Sequence, residues 1–282
     1  MKLAQKLAIK YIKARLRMTA MLSKEKAARK ALKLFSTPRK RAKIKTSALF
    51  AKGEKLSFKL GKQNIRGHRW SPNGSPRKKV LILHGFESTY KKFSDYIEAF
   101  IKKGYEVLAF DAPAHGASDG KQINLPLYVD MIAAINTRYG PIQSFMGHSF
   151  GGLALTHFLE TNKPTENAKA VLIAPATETK TAVDMFFEFL DLDNEVRLEF
   201  DSLILKKTGH LPAYFSARRA VGNISIPLLW LHDEEDEITP IQDAIKVQQD
   251  QHSNIQFIFT KGLGHRKIYR DEEVMKKIIA FL

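Results

Sequence analysis

From residue 55 onward the apolar positions fall into short runs separated by helical periods. Lys55–Leu60 and Asn64–Trp70 alternate apolar with polar residues, the period of a half-buried antiparallel pair. Val80–Leu83, Val107–Phe110, Ile142–Met146, Ala170–Ile173, Pro227–Leu231 and Ile255–Phe259 are runs rich in apolar residues, the pattern of strands covered on both faces. Between and after them, Phe93–Ile101, Leu125–Arg138, Phe150–Glu160, Ile241–Gln249 and Glu272–Leu282 carry helical spacing. Repeated strand–helix units predict the α/β class: a mostly parallel sheet flanked by helices, with sites beyond the carboxyl ends of its strands. Residues 178–224 break the rhythm with an apolar, helix-prone insertion containing Val183, Met185-Phe186-Phe187 and Phe189-Leu190.

The first 54 residues follow a different pattern. Lys2, Lys6, Lys10, Lys13, Arg17 and Lys24 fall within about 80° of one helical face. Leu3, Leu7, Tyr11, Met18 and Leu22 form an apolar stripe beside them, widened by Ile9, Ile12 and Leu16. Ser23 is placed to cap a second helix through Ala27, Ala31, Leu32 and Phe35, which Thr37-Pro38 ends. A basic run follows, Arg39-Lys40-Arg41 with Lys43 and Lys45.

Charge sharpens that division. The chain has 282 residues and a formal net charge of +17, but residues 1–62 alone hold 20 Lys/Arg against Glu25 and Glu54. The rest is close to neutral, which is not the distribution of a globally basic nucleic-acid-binding protein. Three readings of residues 1–45 follow: a helical pair docked on the rest of the chain, an interfacial helix on an anionic membrane surface, or a nucleic-acid contact. The last lacks the aromatic–basic interleaving it needs, so nucleic acid is not an expected partner. Charges every three or four residues leave no continuous apolar core for a secretory signal. The uncharged stretch Tyr139–Leu159 is broken by Gly140-Pro141, His148-Ser149 and Gly151-Gly152, so it does not read as a membrane span. With no cysteine, disulfide frameworks, cysteine nucleophiles and thiolate zinc sites are excluded.

One motif gives the neutral body a chemistry. Gly147-His148-Ser149-Phe150-Gly151 fits G-x-S-x-G, with a buried strand before it and an amphipathic helix after it. Such a turn exposes the serine hydroxyl and aims the Phe150 amide into the site at a helix N-terminus. A serine needs a base and the base needs an orienting acid. After Ser149, the acids at a strand end are Asp233, Glu234, Glu235, Asp236 and Glu237, and the only later histidines are His252 and His265. His252 precedes the last strand and reads as a solvated helix end. His265 follows that strand in Gly262-Leu263-Gly264-His265, a loop able to return the imidazole over the sheet. No His/Asp/Glu spacing points to a metal, and no phosphate-binding glycine motif points to a nucleotide cofactor.

The chain resembles the α/β-hydrolase fold serine hydrolases over roughly residues 55–282. The strings that carry the resemblance are GHSFGG, Leu83-His84-Gly85-Phe86, DAPAHGASDG at 111–120, HDEEDEITP at 232–240 and GLGHRKIYRDEEV at 262–274. The last resembles a group of uncharacterised bacterial hydrolases with a Phe-x-Thr-Pro-Arg-like extension, here Phe35–Arg39. The resemblance implies Ser149 as nucleophile, His265 as general base and then acid, and Asp236 as its orienting carboxylate. It assigns the two oxyanion N–H groups to Phe86 and Phe150. The family has a glycine three residues before the acid where this chain has Asp233, so Asp233 and Glu235 remain alternative acids.

These expectations assemble into a basic helical extension over 1–54 and a hydrolase body over 55–282, with 178–224 as a cap insertion. The expected reaction is hydrolysis of a small-molecule carboxylic ester or related acyl substrate through an acyl-serine intermediate, without a cofactor. Thioester or amide/peptide hydrolysis uses the same three residues, and a non-catalytic membrane-associated binding protein is the rival of another class. The expected location is cytoplasmic or peripheral at the inner membrane surface. Of the other histidines, His84 is expected to hold backbone, His148 to pack below the serine, and His115 to be structural.

Overall fold

The computed structural model describes residues 3–39, 41, 48–76 and 78–282. Lys2, Lys40, Lys43 and Lys45, and the side chain of Leu3, lie outside the described residues. Helices α1 (Leu3–Leu22), α2 (Lys24–Ser36) and a short α3 (Ala48–Lys52) precede the hairpin β1 (Glu54–Leu60) and β2 (Gln63–Trp70). Then β3 (Lys78–Leu83), α4 (Ser94–Lys102), β4 (Tyr105–Phe110), α5 (Leu125–Tyr139), β5 (Ser144–His148), α6 (Phe150–Thr161) and β6 (Lys169–Ile173) alternate. Helices α7 (Thr179–Leu190), α8 (Asn194–Thr208) and α9 (Ala217–Val221) occupy the interruption. The chain ends with β7 (Leu228–Asp233), α10 (Ile241–Gln249), β8 (Ile255–Thr260), α11 (Gly264–Lys267) and α12 (Glu272–Phe281).

The strands form one sheet in the order β1-β2-β4-β3-β5-β6-β7-β8. β1 and β2 are antiparallel, β2 joins β4 antiparallel, and every pairing from β4 through β8 is parallel. The edge hairpin alternates as its sequence does, burying Leu56 and Phe58 and exposing Lys55 and Lys59. The central strands β4, β5 and β7 are buried along their whole length, as helices on both faces require. β5 runs two residues beyond the apolar run that announces it. Pairing sets its limits, from Val80 opposite Ser144 on one side to His148 opposite Ile173 on the other.

By packing, the chain divides into residues 1–37 with 178–216, and residues 38–177 with 217–282. The first unit is helical. Ala27, Ala28 and Ala31 of α2 are fully buried and join Ala20, Val183, Phe187, Val196, Phe200 and Leu203 in one core. Three alanines on one face of α2 let it lie close against α8, and Phe35 closes the gap with its ring edge-on to Phe186 at 5.1 Å and Phe200 at 5.9 Å. Ser23 caps α2 by accepting the Lys26 amide, as its sequence indicates. Residues 178–216 hold eight acidic and four basic side chains, and part of the N-terminal charge meets them. Arg17 pairs with Asp191, and Lys24 lies 2.6 Å from Asp193 and 2.9 Å from Glu195.

The second unit holds the whole sheet, and its N-terminal segment belongs to it by hydrogen bonding. The Arg39 amide donates to Glu87 at 2.8 Å, and the Arg41 guanidinium donates to the carbonyls of Gly116, Ser118 and Gly120. Two arginines of the basic run are thereby anchors for the loops after β3 and β4.

Candidate active site

The turn from β5 to α6 forces Ser149 to φ 56° and ψ −122°. A side chain in this region of backbone space costs on the order of 1–3 kcal/mol, so surrounding contacts must hold it there. The Ser149 amide donates to Ile173 at 3.0 Å, and the Ser149 carbonyl accepts from Gly152, Leu153 and Ala176. Two glycines permit the close approach. A Cβ on Gly147 would lie 2.8 Å from the Gly151 carbonyl oxygen, and one on Gly151 would lie 2.6 Å from that of His84.

The loops after β7 and β8 deliver a carboxylate and an imidazole to the same place. Nε2 of His265 lies 3.0 Å from Oγ of Ser149, and Nδ1 lies 2.8 Å from Oδ2 of Asp236. All three residues are buried. Asp236 also accepts from the Ile238 and Thr239 amides and from the Thr239 hydroxyl, each at 2.8 Å. Burial raises the pKa of this carboxyl, but the hydrogen bonds from His265, Thr239 and Ile238 outweigh it and hold it below the usual carboxylate range. An ionised Asp236 makes Nδ1 the donating nitrogen of His265, which leaves the Nε2 lone pair to accept the Ser149 hydroxyl. Such a chain can move a proton off the serine oxygen and stabilise the resulting imidazolium.

The carboxyl end of β3 supplies the wall opposite. A Cβ on Gly85 would stand 2.8 Å from Ser149 Cβ, so the backbone leading into Phe86 runs directly against the serine. Phe150 opens α6, where an amide has no partner within its own helix. The Phe86 and Phe150 rings meet edge to face at 6.3 Å.

A family model described as serine aminopeptidase, S33, matches residues 74–198, a span that holds Phe86, Ser149 and Phe150 but neither Asp236 nor His265. A putative esterase/lipase of Mycoplasma genitalium is 26% identical over 67% of this chain and 83% of its own length. A monoacylglycerol lipase of Mycolicibacterium smegmatis is 23% identical over 72% of this chain and 86% of its own. Among solved structures, an esterase of Pyrococcus furiosus superposes with a TM-score of 0.63 at 22% identity, covering 87% of this chain and 98% of that one. The chain is a hydrolase of the α/β-hydrolase fold.

The three carboxylates left open as candidate acids stand in different places in the hydrolase. Asp236 meets the imidazole; Glu235 is exposed to solvent. Asp233, in the place of the family's glycine, is fully buried and does not adopt a left-handed backbone; it ends β7 opposite Thr260. Its carboxylate accepts from the Thr260 hydroxyl at 2.7 Å, the Glu235 amide at 3.0 Å and the Leu263 amide at 3.1 Å. It therefore ties the loop carrying Asp236 to the loop carrying His265.

Three buried histidines near the site hold backbone. His84 accepts the Ala112 amide on Nε2 and donates from Nδ1 to the Gly85 carbonyl. His115 accepts the Glu87 amide and packs its ring 5.5 Å from Phe86, which fixes the loop after β3. His148 lies under His265 with ring centroids 4.8 Å apart. Burial pushes His84 and His115 down to about 4 and, with help from the neighbouring His265, His148 to about 3. Thr239 was not legible as a site residue, and the part Asp233 plays differs from the acid role weighed for it, because each acts through a loop hydrogen bond that no spacing announces.

Proposed function

We propose that this hydrolase cleaves carboxylic esters through an acyl-serine intermediate, with Ser149 as nucleophile, His265 as general base and then acid, and Asp236 as its orienting carboxylate. The observation that carries the reading is the unbroken hydrogen-bond chain from Ser149 Oγ through both nitrogens of His265 to Asp236. Ser149 Oγ attacks the ester carbonyl carbon as its proton passes to Nε2. The carbonyl electrons move to oxygen, and the amides of Phe86 and Phe150 receive the oxyanion. A donor aimed at such an oxygen is worth about 3–4 kcal/mol of barrier. Collapse expels the alkoxide, which takes the Nε2 proton and leaves as the alcohol. Water, deprotonated by the same nitrogen, then attacks the acyl carbon, and as the bond to Ser149 breaks Nε2 returns its proton to Oγ and the acid is released.

The ester reading is preferred because the relatives in M. genitalium and M. smegmatis are named as an esterase/lipase and a lipase. The family description, serine aminopeptidase, favours a second reading in which the same residues cleave an amide. Turnover of p-nitrophenyl esters of graded chain length, set against aminoacyl p-nitroanilides, separates the two. Ester turnover and fluorophosphonate labelling, both lost in Ser149→Ala with folding retained, are the expected results. An active Ser149→Ala enzyme, or no turnover of either class, overturns the mechanism.

A further inference from the structure

Helix α1 presents two apolar rows where docking on its own protein needs one. The inward row is Ile9, Ile12, Leu16 and Ala20, of which Leu16 and Ala20 are buried and the isoleucines half-buried. The outward row is Leu7, Tyr11, Met18 and Leu22 with Met21 beside it, and these are 58, 65, 67, 88 and 86% exposed. At 100° per residue the outward row spans about 100° of the helix. Lys6, Lys10 and Arg17 border it on one side and Arg15 on the other, and Glu25 is the first acidic residue in the chain.

The cations divide by task. Arg17 pairs with Asp191 and Lys24 with Asp193 and Glu195, inside the helical unit. Among the described residues, Lys6, Lys10 and Arg15 have no carboxylate partner, and they flank the exposed row. A row of Leu, Tyr and Met bordered by unpaired cations matches the boundary between acyl chains and phosphate headgroups: the apolar side chains enter, and the long basic ones reach back to the phosphates. No helix among the described residues is long and apolar enough to cross a membrane.

We propose that the outward face of α1 seats this protein on an anionic phospholipid surface, with Leu7, Tyr11, Met18, Met21 and Leu22 in the acyl boundary and Lys6, Lys10 and Arg15 on lipid phosphates. The proposal stands apart from the catalytic reading, since it uses none of the residues of that site. A nucleic acid would engage the cations without needing the apolar row, and a second copy of the chain would cover the row without needing anionic charge.

Co-sedimentation of the full chain with phosphatidylcholine vesicles, with and without phosphatidylglycerol, tests the idea. Two variants accompany it: Leu7→Ser/Tyr11→Ser/Met18→Ser/Leu22→Ser, and Lys6→Gln/Lys10→Gln/Arg15→Gln. Every substituted side chain is exposed, and unchanged circular dichroism and thermal midpoints verify folding. The wild-type chain is expected to bind the phosphatidylglycerol vesicles and leave the neutral ones. Each variant is expected to lose most of that binding, the charge variant by roughly 100-fold at about 1 kcal/mol per cation. No binding by the wild-type chain overturns the proposal. So does full binding by the serine variant, which would mark a purely electrostatic anion contact. A wild-type dimer that the serine variant converts to monomer, without vesicle binding, would assign the row to self-association instead.

Discussion

His148 donates its Nε2–H to the carbonyl oxygen of His265, 3.0 Å away, so the residue just ahead of Ser149 fixes the backbone of the residue whose imidazole meets it. The carbonyl can only accept, which makes Nε2 the protonated nitrogen, and burial keeps the ring neutral. Leu in place of His148 removes that tether, whereas Gln can still donate an amide N–H. We expect His148→Leu to lower kcat by roughly 10–100-fold with KM for a short ester nearly unchanged, since a displacement near 1 Å is enough for such a loss. His148→Gln is expected to recover most of it. Steady-state kinetics on the two variants checks this; equal losses would reduce His148 to packing.

Asp236→Asn leaves the shape of the loop but offers Nδ1 an amide in place of a carboxylate. The imidazole then loses both its fixed tautomer and the stabilisation of its charged form, and kcat is expected to fall roughly 10³–10⁴-fold. Glu235→Gln, one residue away and exposed, is expected to leave kcat unchanged. A large loss in Glu235→Gln with a small one in Asp236→Asn would move the acid to Glu235.

Asp233 receives three hydrogen bonds while fully buried. Asp233→Ala leaves the Thr260 hydroxyl and two amides without their acceptor, at a cost of about 1–3 kcal/mol for a buried unsatisfied group. Urea unfolding of the variant measures it. Because the same bonds join the loops of Asp236 and His265, kcat is expected to fall as well.

Gly151→Ala would place a methyl 2.6 Å from the His84 carbonyl oxygen and 2.8 Å from that of Leu83, both main-chain atoms with no room to turn aside. Destabilisation of about 3 kcal/mol or more is expected, because only a backbone shift relieves the overlap. Yield of folded protein and the urea midpoint report it.

Acid should unfold this protein earlier than its carboxylates alone predict. Unfolded, each imidazole takes a proton near 6.5; folded, His84 and His115 take theirs only near 4 and His148 near 3. Between these values the unfolded chain binds more protons, so the full contribution is present above pH 6.5 and is lost as pH falls toward 4. Each histidine contributes a slope of about 1.4 kcal/mol per pH unit in that window. Thermal midpoints at steps from pH 7.5 to pH 4 are expected to fall steadily below about pH 6.5, and a flat profile to pH 5 would contradict the assignment.

The order of strands and helices was readable because hydropathy period is a local property, and each apolar run corresponds to one strand of the sheet. Ser149 and His265 were readable for the same reason, since each follows an apolar run that forms a strand of the sheet, buried in β5 and half-exposed at the sheet edge in β8. The choice among Asp233, Glu235 and Asp236 was not, because these neighbours differ in direction rather than in chemistry. The pairing of β7 with β8 turns Asp233 toward Thr260, and the bend beyond it turns Asp236 toward His265.

The N-terminal charge shows the same limit. The sequence by itself determined that the arm is helical and basic, that its lysines share a face, and that a strand-flanked serine and a later histidine stand at strand ends. Only the tertiary structure decided which carboxylate the imidazole meets, which cations the acidic insertion consumes, and which apolar row of α1 is left in water. Periodicity states which residues lie together on one face of an element; what meets that face is fixed by contacts between residues far apart in the chain.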